Sequence, residues 1–120
     1  MARTTSSRLA ASRSITVERA QRLYRLIRLL RTAPQSRGSL TKKLRVDIRG
    51  FYRDLELLRD SGINIPFQEQ RYSLEENFRH VLERLPFPDP HFTLREAKDV
   101  SKGRLPAHRK LRGLIKQVEK

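Results

Sequence analysis

The chain has 120 residues, room for one modest domain with tails, and a formal net charge of +14 from 27 Lys and Arg against 13 Asp and Glu. An excess of that size points to a polyanionic partner, nucleic acid first and an acidic membrane surface second. The absence of cysteine excludes disulfides and thiolate metal sites and fits a reducing cytoplasm; His80, His91 and His108 lack a second ligand at metal spacing, and no apolar run approaches the ~20 residues that span a bilayer.

Residues 1–15 hold Arg3, Arg8 and Arg13 and few large apolar residues, the pattern of a flexible cationic arm. They contain no apolar stretch of the kind a secretory signal needs. From Thr16 to Thr32 the residues Val17, Ala20, Leu23, Tyr24, Ile27 and Leu30 recur at helical spacing, with Arg22, Arg25 and Arg28 off that face. Pro34 and Gly38 end this helix. A short second helix is expected over Arg37–Leu44, with Leu40 and Leu44 as its apolar pair. Arg45 and Val46 form a turn, and Asp47 caps a third helix running to Asp60. Ile48, Phe51, Leu55 and Leu58 are the expected buried stripe of that helix, and Gly62 terminates it.

Residues 63–74 alternate apolar and polar around a polar turn, which predicts two short strands, with Pro66 marking the first as an edge strand. Beyond Leu74, Phe78, Val81, Leu82 and Leu85 share one face of a helix predicted over Glu75–Leu85. Residues 86–90 are a proline-rich break, and Thr93 with Glu96 forms a capping box. After Gly103 and Pro106 a last basic helix carries Leu111, Leu114, Ile115 and Val118. The expected fold is mainly α with a small β-hairpin. It has an arm (1–15), a helix–helix–helix–hairpin domain (16–74) and a basic helical extension (75–120). Net charge is +7 over residues 16–60, −2 over 61–90 and +6 over 91–120, so the cations concentrate in the three helices and the C-terminal part.

A short helix, a tight turn and a capped helix in a strongly basic chain fit a winged helix-turn-helix, whose second helix enters the major groove of duplex DNA. Arg49, Gly50, Tyr52 and Arg53 are then the outward residues near the start of that helix and the candidates for base contact. Arginine bonds guanine O6 and N7 in bidentate fashion, and Gly50 permits close approach of the backbone. Arg37, Lys42, Lys43, Arg45 and Arg71 are the candidates for phosphate contact, which positions without reading sequence. For Arg49 and Arg53 the competing reading is plain surface pairing with Asp54 or Glu56, and for Arg71 a cross-strand surface role.

The stretch from Arg19 to Leu74 resembles the N-terminal winged helix domain of the DeoR-like and WYL-domain transcriptional regulators. The resemblance is carried by Phe51-Tyr52-Arg53-Asp54-Leu55, Leu58, Gly62-Ile63 and Tyr72-Ser73-Leu74. It implies duplex DNA binding and transcriptional control in a bacterial cytoplasm, at the nucleoid. The chain departs from that family at Asp47, where serine is common, at Gly50, where threonine is common, and at Thr41, where alanine is usual. About 46 residues follow Leu74, too few for the family's sensor domain, so no small-molecule effector is expected. The apolar faces of the two helices at 75–85 and 106–118 leave two readings open: they cover one another in a homodimer, or they pack back on the winged helix. The residues offer no nucleophile–base pair, phosphate loop or convergent carboxylates, so neither an enzyme nor a cofactor is expected. Two alternatives stay open: an RNA-binding or ribosome-associated protein, and a winged-helix adaptor that binds a protein partner.

Overall fold

The first helix starts where the hydroxyl of Thr16 accepts the Arg19 backbone N–H at 3.1 Å, closing an orphan donor of the first turn. A computed structural model of the chain describes residues 15–88, 93–103 and 106–120. The predicted cationic arm therefore lies outside the described residues, save for Ile15, which is buried and belongs to the core rather than to an arm. Helix α1 spans Val17–Thr32 and buries Ala20, Leu23, Leu26, Ile27 and Leu30. Leu26 widens the predicted stripe, while Val17 and Tyr24 sit half-buried at its edges. Ala33, ahead of Pro34, is extended, as the clash with a following proline ring requires.

Ser36 caps α2 (Arg37–Leu44), whose Leu40 and Leu44 are both buried as expected. The chain leaves α2 through Arg45, which has φ 54° and ψ 49°, the left-handed conformation that turns the chain within two residues. Asp47 then caps α3 (Ile48–Asp60) through the Gly50 N–H at 2.7 Å. At its far end the Gly62 N–H reaches the Arg59 carbonyl and the Ile63 N–H reaches that of Leu58. With Gly62 at φ +85° this is a Schellman motif, as the glycine there predicts.

The buried face of α3 differs from the predicted one. Phe51 and Leu58 are fully buried and Leu55 half-buried, but Ile48 is 53% exposed, and Asp54 and Leu57 are buried instead. On a wheel of 100° per residue the inward face is turned by roughly 70° toward Asp54 and Leu57. The physical reason is an ionic attachment to α1 on that side, described below, and the position of Ile48 in the first turn, beyond the reach of the core.

The hairpin is shorter than predicted. Strands β1 (Phe67–Gln68) and β2 (Arg71–Tyr72) pair antiparallel with Phe67 opposite Tyr72 and Gln68 opposite Arg71. Residues 63–66 lead into β1 without joining it, and Pro66 uses only its carbonyl, which accepts the Ser73 N–H. Gln35, ahead of α2, adds a rung on the other side of Tyr72 through reciprocal bonds of 2.9 and 2.7 Å. This ties the α1–α2 connection to the hairpin. The two turn residues, Glu69 and Gln70, have φ of 52° and 62°, the geometry that asparagine and glycine favour. Replacing them with Asn-Gly is expected to stabilise the fold by about 1 kcal/mol, read as a higher urea midpoint at unchanged slope.

Helix α4 covers only Phe78–Leu82 of the predicted 75–85, yet Val81, Leu82 and Leu85 are buried. Pro86 and Phe87 follow them inward, Pro86 bridges to Thr93, and the end of the proline-rich break, residues 89 and 90, lies outside the described residues. The Thr93–Glu96 capping box opens α5 (Leu94–Val100) as read from sequence. Helix α6 (Pro106–Val118) buries Ile115 and Val118 and packs against α1 and α5. The apolar faces that suggested a homodimer are thus used within the chain. The described part is mainly helical with one small two-stranded antiparallel sheet.

Candidate nucleic-acid interface

Asp54 is the residue that fixes how α3 is presented. Its carboxylate is 1% exposed and accepts Arg19 Nε at 3.0 Å and Arg22 Nε and Nη2 at 2.5 and 2.9 Å. Arg19 also donates to the Arg53 carbonyl at 3.1 Å. The hydrogen bond to Asp54 is the main reason the Arg22 guanidinium is held above its usual range. Asp54 is therefore not a surface partner of Arg49 or Arg53 but an ionic clamp between α1 and α3. Arg22, read as lying off the apolar face of α1, is half of it.

With one side of α3 clamped, the opposite side faces solvent. Arg49, Tyr52, Arg53 and Glu56 are all exposed there, and on the helical wheel their mean direction is opposite to the buried face. Arg49 and Arg53, one turn apart, have no ion-pair partner among the described residues. Exposed Ile48 adds an apolar side chain at the start of the same helix. Gly50 has a local explanation in place of close approach to a groove. A Cβ there would stand 2.7 Å from Val46 Cγ2 and 3.0 Å from Asp47 Oδ1, so the tight turn and its cap require the missing side chain.

Tyr52 is 41% exposed but engaged. Its hydroxyl accepts Arg37 Nη1 at 3.0 Å, and its ring meets Phe51 edge-on. Tyr72 packs on Phe51 from the hairpin side, and Phe67 covers Tyr72 at 4.5 Å between centroids. Arg37, Tyr52, Phe67 and Tyr72, with Ser36 and Gln70, line a cleft of about 450 Å³ between the start of α2, α3 and the hairpin. The Arg37 hydrogen bond lowers the Tyr52 pKa, whereas burial raises that of Tyr72. A lowered folded value means that Tyr52 ionisation favours the native state as pH rises through it; Tyr72 acts in the opposite sense. Replacing Arg37 with methionine is expected to move the earliest phenolate transition at 295 nm to higher pH, and Tyr52→Phe to delete it. An unchanged alkaline titration in both variants would contradict the pairing.

The phosphate candidates are placed unequally. Arg37, Lys42, Lys43 and Arg45 are exposed along α2 and the turn that follows it. Lys43 donates to the Gln35 side chain at 2.8 Å and Arg37 is tied to Tyr52, which leaves Lys42 and Arg45 as the more available cations. Arg71 is exposed on β2 opposite Gln68. Sequence reasoning gives no signal for Gln35, and it reads Asp54 as a surface partner where a signal for burial exists. An acid three residues after Phe51 and four before Leu58 stands in a core register and demands a cationic partner.

No helix among the described residues is long and apolar enough to cross a membrane. Comparison with known protein families, curated proteins and solved structures finds no match to this chain.

Proposed function

We propose that the chain is a sequence-specific binder of double-stranded DNA that regulates transcription, built as a winged helix-turn-helix. In this reading α2 and α3 are the helix-turn-helix pair, α3 enters the major groove and residues 63–74 form the wing. The observation that supports it most is the division of α3. One side is locked to α1 through Asp54, and the other presents Arg49 and Arg53 without acidic partners in the first two turns. Arg49 and Arg53 read bases, Lys42 and Arg45 meet phosphates, and Arg37 positions Tyr52 at the edge of the contact. Ile48 joins the base-facing set, because an exposed aliphatic group suits the thymine methyl. Replacing thymine by uracil in the preferred site is expected to weaken binding by the parent and to leave an Ile48→Ala variant unaffected.

The reading is tested by selecting bound duplexes from fragmented genomic DNA at near-physiological salt with excess competitor. A shared motif supports it, and a two-fold repeat within the motif supports a dimer on DNA. Duplexes recovered without a motif contradict sequence specificity. One observation favours RNA instead: Phe67 is 54% exposed, and single-stranded bases stack on such rings. Tighter binding to single-stranded RNA than to any duplex, lost in Phe67→Ala, would replace the first reading with that one.

A further inference from the structure

A strongly charged surface left unused by this reading is the outer face of α6. The helix carries Arg109, Lys110, Arg112 and Lys116 and no acid. Arg112 is turned inward and donates to the carbonyls of Ser101 and Gly103. Arg109, Lys110, Lys116 and Lys120 are exposed; at 100° per residue Arg109 and Lys116 fall on one line with Lys110 about a quarter turn away, and Lys120 follows two residues past the end of the helix. None of these four has an ion-pair partner among the described residues, and the nearby Glu119 is bound to Lys98 at 2.5 Å. Such like charges at helical spacing repel one another, so an anion laid along them is favoured.

The position of this stripe follows from α1. Arg19 and Arg22 of α1 face Asp54 of α3, whereas Gln21 donates to the Gln117 carbonyl of α6. At 100° per residue these contacts leave α1 about 130° apart. The outward faces of α6 and α3 therefore look in different directions. An acidic bilayer is the poorer occupant, because Ile115 and Val118 are buried in the chain's own core, with Leu111 and Leu114 packed against it, and no apolar face remains to insert.

We propose that the α6 stripe is a second phosphate-binding surface for duplex nucleic acid, so that one molecule holds two duplex segments at once. The proposal rests on the reading that α3 binds a duplex. The test uses the full chain, a bead-bound duplex carrying the selected motif and a fluorescent duplex of unrelated sequence, at a protein concentration where sedimentation shows a monomer. Capture of the second duplex is expected, falling steeply with added salt. The variant R109Q/K110Q/K116Q/K120Q, with unchanged circular dichroism and melting, is expected to bind the bead-bound duplex within about twofold of the parent and to lose at least about nine-tenths of the capture. Capture undiminished in the variant overturns the proposal, as does first-duplex binding by the parent without any capture. Stripe-dependent binding to phosphatidylserine vesicles without capture assigns the stripe to membranes and overturns it too. Failure of the parent to bind the first duplex is a different result, which removes the α3 reading and the proposal with it.

Discussion

Replacing Asp54 with asparagine is expected to cost about 2–3 kcal/mol of stability, a fall in melting temperature of roughly 10–20 °C for a domain of this size. The side chain keeps its volume but loses its charge, and three charge-assisted hydrogen bonds from Arg19 and Arg22 converge on it in a nearly dry position. Removing one partner of a fully buried ion pair typically costs more. Here the two arginine side chains are 26% and 27% exposed, so they recover part of their hydration by swinging outward, and the figure is reduced accordingly. Urea denaturation with an unchanged slope measures it. A triple variant, Arg19→Met with Arg22→Met and Asp54→Leu, separates the charge from the packing. It is expected to be more stable than Asp54→Asn, because no buried charge is left without a partner. A loss below about 0.5 kcal/mol for Asp54→Asn would show that the clamp is a surface ion pair. The expected consequence reaches function as well, since a loosened α3 presents Arg49 and Arg53 in less fixed positions.

The residues that cap and break helices carry most of what was legible in advance. Asp47, Thr93 with Glu96, and Gly62 each satisfy or redirect backbone groups at a helix end, a local event that depends on three or four neighbours. Helices α1, α2 and α3 were therefore placed within a residue of their observed bounds. The orientation of α3 was less accessible. Ile48, Phe51, Leu55 and Leu58 make a good apolar stripe on paper, and only the long-range attachment of Asp54 to α1, 32 and 35 residues away, turns the helix off it. The candidate contact residues survived this rotation because Arg49 and Arg53 lie near the middle of the outward face in either setting, whereas Ile48 changed sides. The strands were overestimated for a related reason. Alternation in residues 63–66 reports burial of Ile63 and partial burial of Ile65, and Pro66, which has no N–H to donate, gives only its carbonyl to the Ser73 N–H, so the regular pairing begins at Phe67.

Arg49→Ala and Lys42→Ala are expected to fail in different ways, and the difference distinguishes a base contact from a phosphate contact. Arg49 stands in the first turn of α3, outward and without an acidic partner among the described residues, and in the proposed reading its guanidinium meets a guanine edge. Its loss is expected to weaken the selected duplex by about 1–3 kcal/mol, roughly five- to 150-fold, with little change on unrelated sequences. Lys42 sits in the last turn of α2, exposed and without an ion-pair partner among the described residues. Its loss is expected to weaken every duplex alike and to flatten the plot of log affinity against log salt by about one unit, as one phosphate contact fewer requires. The two variants are compared at three or more salt concentrations on the selected duplex and on one scrambled duplex. Equal losses from both variants on both duplexes would mean that α3 contributes charge alone. The same loss for Arg49→Ala at every base pair tested would move the reading of sequence away from α3, to the hairpin or to the shape of the DNA.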